Sequence, residues 1–460
     1  MAEVHALPEP SSRPGLSRVA VFSLHTSPTA SLGHSANGGM NVYIRQLCVG
    51  LSQLGVATDI FTRSLAGEKR VEQLAPLSRV INLPAGPPEL DKYRLLEQVP
   101  AFTEGVRAFM AESGLPYDAM YSHYWLSGMV ACALRGPLRV PWAHTAHTLA
   151  VVKNRLLAPG DRPEPEVRVD LEGEVARCAD LLIVNTQAEA LELVRAYGVR
   201  QERLAVVAPG CDLGAFEPRP RQAARDALGY AEQRLFVFAG RLERLKGVDV
   251  LIRALAELTA GGTRPELRLV VIGGDSQSSG ESERQRLATL AEGLGVARQV
   301  TFTGPLPQER LAGYYAAAEA VLLPSYNESF GLVALEAQAS GTPVIASNVP
   351  GLALVVSDGR TGFLVNGHDP RDYVERMRQL LASPGLVEAM GARAARRARG
   401  FSWDRTTERV HGLLSDAVAK SSGTALVGSG SSPAELAGAV GVAVHPIPGQ
   451  LRQPAAVSVH

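Results

Sequence analysis

The sequence predicts an α/β protein of two Rossmann-like domains facing each other across a cleft, and three observations lead there. Apolar runs of strand length alternate with helix-period segments through most of the chain, the pattern of parallel sheets covered by helices on both faces. The chain has 460 residues, which is too long for one ordinary core and fits two domains of about 200 residues each plus tails. Midway along it, residues 209–220 (PGCDLGAFEPRP) are dense in Pro and Gly and carry no period, so they read as the linker beside the cleft.

In order along the first half, the strand-length runs are 18–24, 57–62, 79–83, 119–122, 142–145, 181–185 and 204–208. In the second half they are 235–239, 267–273, 300–303, 320–324 and 343–346, each followed by a helical or Gly-rich segment. The first domain is therefore placed at 17–208 and the second at 209–402, with a helix at about 403–419 returning to join the first. Residues 1–16 and 420–460 are rich in Gly, Ser, Ala and Pro, and both are expected to be disordered tails.

Composition excludes several classes. Lys and Arg number 46 against 46 Asp and Glu, a formal net charge of zero that does not suggest nucleic acid. Cys48, Cys132, Cys178 and Cys211 form no CxxC pair, so neither a disulfide framework nor a zinc site is expected, and a reducing, cytoplasmic setting fits. The N-terminus lacks the apolar run of a signal peptide, and no stretch approaches the roughly 20 apolar residues of a spanning helix.

The motif richest in chemistry is PSYNESFGLVALEAQASGTPVIAS. Glu328 follows a strand, and Glu336 lies on the helix that Phe330-Gly331 opens, so two carboxylates share a strand-to-helix junction. Ligands of open parallel sheets bind at such junctions, where a helix N-terminus offers free N–H groups to phosphate oxygens. Glu336 stands among Leu335, Ala337 and Ala339, where a carboxylate is costly unless a ligand or a buried donor satisfies it. In FAGRLERLKGVDV, Arg241 and Lys246 project from the end of a strand, with a solvated Arg244 between them. Fixed cations there would stabilise the charge that develops on a departing diphosphate.

Two further motifs follow. A strand ending at His25 leads through a Gly-, Ser- and Ala-rich loop to Gly38-Gly39, which opens an amphipathic helix. In WAHTAHTLAVVKN, His144 and His147 follow an apolar strand and precede Lys153 and Asn154. No third ligand at metal spacing stands nearby, so His147 reads as a hydrogen-bonding group facing the cleft.

The GGMN helix entry, the GR followed by LKG, and the two glutamates of NESFGLVALE together resemble glycosyltransferase family 4 over about residues 18–419. That resemblance implies the two-domain GT-B fold and a retaining hexosyl transfer from a nucleotide sugar. Within the family, HTSP, GGMNVYI, SHYWLSG and TAHTLAVVKN are most similar to members that open mycothiol biosynthesis by joining N-acetylglucosamine from UDP-GlcNAc to 1D-myo-inositol 3-phosphate. Carried over by position, Gly39, Arg241, Lys246, Leu306, Glu328 and Glu336 would hold the donor, with Arg241 and Lys246 on the diphosphate, Glu328 on the sugar and Glu336 on the ribose. His25, Asn37, Gly38, Asn41, Lys92, Tyr124, Thr148 and Arg168 would hold the acceptor.

Catalysis would rest on His147, Arg241, Lys246 and Glu328, with front-face attack supported by a main-chain carbonyl near His147. The resemblance further implies Mg2+ on main-chain oxygens near Tyr315, Ala316 and Ala318 with Thr342, although the chemistry itself requires no cofactor. Assembly as a homodimer is compatible with the sequence.

Lys92, Tyr124, Thr148 and Arg168 are also the donors a phosphate monoester would select, Arg binding it bidentately; the bland alternative pairs Arg168 with its acidic neighbours. Where the relatives carry an acidic residue before the double glycine, this chain has Ala36-Asn37. That leaves another cyclitol, a sugar phosphate or a lipid open as acceptor. A UDP-GlcNAc 2-epimerase and a non-catalytic sugar-nucleotide sensor are the rivals from other classes.

Overall fold

The computed structural model of the chain describes residues 15–30, 38–88, 90, 92–260, 266–275 and 282–425. Residues 1–14, Ala36, Asn37 and 426–460, on which several expectations fell, lie outside the described residues.

In the first part of the chain the elements run β1 (Arg18–Ser23), α1 (Gly39–Gln53), β2 (Ala57–Ser64), β3 (Arg70–Ala75), β4 (Ser78–Pro84), α2 (Val99–Ser113), β5 (Ala119–His123), α3 (Trp125–Leu138), β6 (Trp142–Thr145), α4 (Ala150–Arg155), α5 (Glu166–Cys178), β7 (Leu181–Val184), α6 (Gln187–Tyr197) and β8 (Leu204–Val206). The sheet order is β3-β4-β2-β1-β5-β6-β7-β8, parallel except for the β3–β4 hairpin. Then follow α7 (Arg221–Leu228), β9 (Arg234–Ala239), α8 (Val248–Thr259), β10 (Leu267–Ile272), α9 (Glu283–Gly293), β11 (Val300–Gly304), α10 (Gln308–Ala317), β12 (Ala318–Leu323), α11 (Leu332–Ala339), β13 (Val344–Ser347), α12 (Pro350–Val355), β14 (Gly362–Val365), α13 (Pro370–Ala382), α14 (Pro384–Ala398) and α15 (Trp403–Ala425). The second sheet, β11-β10-β9-β12-β13-β14, has the doubly wound Rossmann order.

The central strands are apolar from end to end because helices cover both faces. Val19, Val21 and Ile60 point to one layer and Ala20, Phe22 and Phe61 to the other, all fully buried. In α1 the buried Tyr43, Ile44, Leu47, Cys48 and Leu51 recur at helical spacing and form the stripe that covers this sheet.

Two strands escape the sequence reading. β3 is a polar, exposed edge with little apolar alternation, and β14 is only four residues long. β1 stops at Ser23, so His25 stands in the turn beyond it rather than on the strand.

The chain crosses between domains twice, and the two crossings run side by side. Cys211 N–H donates to the Phe401 carbonyl at 3.0 Å, and Cys211 bridges Ser402. A side chain at Gly210 would meet Trp403 backbone nitrogen at 2.2 Å. After this crossing α15 packs on the first domain, with Trp403, Val410, Leu414 and Val418 in one cluster with Tyr43 and Leu47 of α1.

In each sheet the strand order reverses once at its middle, between β1 and β5 and between β9 and β12. Such a reversal opens a crevice at the carboxyl ends of the strands, and the two crevices contain the residues discussed below. Leu414→Ala in α15, which empties a fully buried site, is expected to lower unfolding free energy by about 2–5 kcal/mol, read by urea titration. A loss under about 1 kcal/mol would show that α15 is peripheral to the first core.

Candidate active site

In the second domain, β9 ends at Ala239 and, through Gly240, delivers Arg241 into a loop whose 3-10 turn, Arg244–Lys246, is closed by Gly247. Gly247 has φ 67, and a Cβ there would stand 2.4 Å from the Pro324 carbonyl, so only glycine lets the loop lie on the end of β12. The loop after β12 brings Glu328 to the same place. Lys246 Nζ lies 2.6 Å from Glu328 Oε2, and Arg241 Nη1 2.9 Å from Glu243 Oε1.

Eight residues after Glu328, Glu336 sits on the first turns of α11 with its carboxyl nearly enclosed. Burial raises it to about 8, against the opposing effect of Tyr315 OH, which donates to it at 3.3 Å. The buried donor required by its apolar surroundings is therefore Tyr315. Leu306 lies in the loop after β11, half-buried against the second core.

The first domain meets this half directly. A Cβ on Gly39, the first residue of α1, would lie 3.1 Å from Leu332, the first residue of α11, and one on Gly38 would lie 3.8 Å from Arg241. Two helix N-termini thus approach across the cleft, with Arg241 beside the start of α1. Arg244 differs from its expected place in solvent: it is half-buried, and its Nη1 donates across the cleft to the Pro159 carbonyl at 3.5 Å.

The polar wall of the first domain is organised by a residue the sequence reading passed over, Glu164. Its carboxylate receives Lys92 at 2.9 Å, Lys153 at 2.6 Å and Arg168 at 2.7 Å, while Tyr93 OH also donates to it. Asn154 clamps the Glu164 backbone from both sides. Burial alone would raise Glu164, but Arg168, Lys92 and Lys153 hold it well below the usual carboxylate range. Burial, reinforced by Lys153, lowers the Lys92 ammonium to about 8.

Arg168 is 1% exposed, and its guanidinium is shared out: Nε donates to Glu172 Oε1 at 2.9 Å, Nη2 to Thr148 Oγ1 at 3.0 Å, and Nη1 reaches Glu164. Its pairing with acidic neighbours is therefore real, and a bidentate clamp on a ligand is not what this state offers. It also lies over the Tyr124 ring at 5.1 Å.

Tyr124 and His147 follow β5 and β6, and both hold left-handed backbone, φ 72 and 60. A bulky residue pays for that conformation with strain of about 1–3 kcal/mol, which marks functional sites. His147 Nε2 is 3.0 Å from His123 Nδ1, and its carbonyl accepts from Ser329 Oγ of the second domain at 2.6 Å. His25 rests against Tyr124 with ring centroids 4.4 Å apart, and its Nδ1 has no partner among the described residues. Burial first, then neighbouring cations, lowers His25 to about 3, and burial with nearby histidines lowers His147 to about 3, so both are neutral at pH 7.

Asn41 has a different position from the one expected of a ligand-binding group. It is buried, donates to Thr26 Oγ1 at 2.7 Å and the Ser27 carbonyl at 2.5 Å, and accepts from Gly38 N–H at 3.2 Å, so it pins the helix entry. Asn37 is outside the described residues.

Tyr315, Ala316, Ala318 and Thr342 are buried together where α10 meets β12, and Thr342 Oγ1 lies 2.6 Å from the Tyr315 carbonyl. A hard cation would take these oxygens as ligands only by displacing the hydrogen bond that the Thr342 hydroxyl donates to the Tyr315 carbonyl. The Tyr315 carbonyl also accepts the Ala318 amide, and no group of three or more His, Cys, Asp or Glu able to hold a metal occurs among the described residues. An all-neutral set fits at most a structural ion, and no chemical step is assigned to it.

Comparison with known proteins agrees with the two-domain fold. Residues 38–210 match the family described as Glycosyl transferase 4-like domain, and 221–397 match Glycosyl transferases group 1. A protein of Corynebacterium jeikeium named D-inositol 3-phosphate glycosyltransferase is 46% identical over 407 residues, covering 87% of this chain and 96% of that one. The protein of that name from Actinosynnema mirum is 48% identical over 401 residues, 86% and 96% of the two chains. Among solved structures, sucrose-phosphate synthase from Thermosynechococcus elongatus superposes with TM-score 0.81 at 34% identity, covering 88% of this chain and all of that one. Anabaena HepE in complex with UDP and glucose, at TM-score 0.69 and 19% identity over 87% of this chain and 100% of that one, shares the fold.

Arg168→Ala would strand Glu164 and Glu172 in the interior without their common cation. It is expected to cost about 3–5 kcal/mol of unfolding free energy, whereas Lys246→Ala, whose pair with Glu328 is partly exposed, should cost under about 1 kcal/mol. Equal small losses in urea titration would contradict the burial-driven role of Arg168.

Proposed function

This chain belongs to the group 1, 4-like glycosyl transferases, and from that premise we propose that it is a retaining transferase moving N-acetylglucosamine from UDP-GlcNAc to 1D-myo-inositol 3-phosphate. One observation carries the acceptor class: Lys92, Lys153 and Arg168 converge beside Tyr124 and Thr148 at the switch point of the first sheet, opposite the cations of the second. Two carboxylates, Glu164 and Glu172, face these three cations, and a neutral acceptor would not require the excess positive charge. The names of the relatives support inositol 3-phosphate, and the neighbour bound to UDP supports a UDP-sugar.

In the proposed reaction the bond from the anomeric carbon to the diphosphate oxygen breaks as the acceptor hydroxyl attacks from the same face. The hydroxyl proton passes to the departing phosphate oxygen, giving the glycoside and UDP. Arg241 and Lys246 stabilise charge on that oxygen, which counts more in the transition state than in the ground state. Glu328 releases Lys246 to the diphosphate and accepts from sugar hydroxyls. Glu336, with its affinity for protons raised, faces the ribose, and the His147 carbonyl supports the electron-poor anomeric centre. Neutral His25 holds the acceptor ring through its free nitrogen. We place the reaction in the cytoplasm, in keeping with four free cysteines; no helix among the described residues is long and apolar enough to cross a membrane.

The likeness to sucrose-phosphate synthase favours one second reading, a hexose phosphate as acceptor. Both readings are tested by measuring UDP release from UDP-GlcNAc and from UDP-glucose, each with inositol 3-phosphate, fructose 6-phosphate and free inositol. The account expects UDP-GlcNAc with inositol 3-phosphate to exceed every other pair by at least tenfold. Turnover with fructose 6-phosphate and not with inositol 3-phosphate would overturn the acceptor assignment, and conversion of UDP-GlcNAc alone to UDP-ManNAc would overturn transfer itself.

Lys92 supplies a pH dependence. It is charged below about 8 and neutral above, while a phosphate monoester gains its second charge near pH 6. The acceptor kcat/KM, which reports the free enzyme, is expected to rise to a plateau above about 6 and fall above about 8, with Lys92→Arg moving only the alkaline limb upward. A profile flat to pH 10 would contradict a role for the Lys92 charge.

A further inference from the structure

Across the cleft, the Ser329 hydroxyl of the second domain donates to the His147 carbonyl, the one proposed for chemistry, at 2.6 Å. Ser329 follows Glu328, whose carboxylate holds Lys246, and precedes Phe330 and the Gly331 cap of α11. His147 follows β6 and is fixed on its own side by three independent constraints. Its backbone is left-handed at φ 60, its Nε2 meets His123 Nδ1 at 3.0 Å, and the Tyr43 ring stands edge-on with centroids 5.3 Å apart.

A strained backbone persists only where its surroundings over-determine it, and the strain here aims a carbonyl across the cleft rather than into a helix or sheet ladder. A carbonyl oxygen has two lone pairs, and Ser329 occupies one.

We infer that Ser329 is a positioning residue for glycosyl transfer: its hydroxyl fixes the direction of the His147 carbonyl and holds the two half-sites in register when the cleft is closed. The second lone pair is then left for the anomeric carbon. The inference rests on the transfer reaction proposed above and adds a residue to it. Ser329 binds neither phosphate nor sugar in this scheme, so its loss should act on the rate of the chemical step and little on substrate capture. A displacement of reacting groups on the order of 1 Å is enough to cost about a hundredfold in rate.

The loop around Ser329 tolerates the change sterically. Ser329 is half-buried, and the backbone of residues 328–330 packs so closely on Gly351 that a Cβ there would stand 2.2 Å from the Glu328 carbonyl, a contact that does not involve the Ser329 hydroxyl. Ser329→Ala is therefore expected to fold with an unchanged melting temperature.

The test compares wild type, Ser329→Ala and Ser329→Thr in UDP release under saturating UDP-GlcNAc, together with donor and acceptor KM. Ser329→Ala should lose about 10- to 100-fold in kcat with both KM values within threefold of wild type, and Ser329→Thr, which keeps the hydroxyl, should recover most of that loss. All three proteins are compared with the same acceptor, water included as the slow acceptor of donor hydrolysis. A wrong acceptor assignment thus changes the substrate used and leaves the ratio intact. Wild-type kcat in Ser329→Ala would overturn the inference, as would a loss carried by KM alone or one equally deep in the Ala and Thr variants.

Discussion

Each cation assigned to a phosphate in this cleft is already paired with a carboxylate of its own domain. Lys246 is held by Glu328, Arg241 by Glu243, and Lys92, Lys153 and Arg168 by Glu164. Partly buried ammonium and guanidinium groups would be expensive to hold unpaired, and the pairs keep them desolvated yet oriented. A phosphate entering the proposed site would exchange one set of charge-assisted hydrogen bonds for another and would not have to strip water from solvated lysines. The pairing holds the Glu164 carboxyl low, while burial and the neighbouring Lys153 lower the Lys92 ammonium against the pull of Glu164, so the charge proposed for the acceptor is sensitive to alkali.

Sheet topology puts these pairs opposite each other. The switch points β1/β5 and β9/β12 carry His25 and Tyr124 on one side and Arg241 and Glu328 on the other. Glycine at the entries of the loops and helices allows the approach: Gly39 lies against Leu332, and Gly247 against the end of β12. Of the three non-glycine residues with positive φ among the described residues, Arg139 caps α3, and the other two, Tyr124 and His147, stand where strands β5 and β6 end at the cleft.

The strand-end residues proposed for the donor were legible in the sequence because their signals are local. A buried strand, a glycine and a pair of basic residues describe Arg241 and Lys246 completely, and the apolar company of Glu336 announces that something must satisfy it. The acceptor half is a long-range object. Glu164 lies in PEPE, where an acidic residue reads as solvated loop, and its importance depends on Lys92 arriving from 72 residues away. Ser329 was equally silent, since the partner of its hydroxyl is a main-chain oxygen 182 residues earlier. Arg168 left two readings open in the sequence, a phosphate clamp and a pair with its acidic neighbours, and the packed structure shows its donors divided between Glu172, Glu164 and Thr148. The edge strand β3 was missed because an exposed polar strand lacks the apolar alternation that sequence reading relies on.

The central claim is a division of labour, with donor diphosphate on the second domain and acceptor phosphate on the first. Calorimetric titration of UDP into wild type, Lys246→Ala and Lys92→Ala tests it without requiring the acceptor to be known. The account predicts at least a tenfold loss of UDP affinity in Lys246→Ala and an unchanged affinity in Lys92→Ala. Equal losses in both variants, or a loss confined to Lys92→Ala, would contradict it.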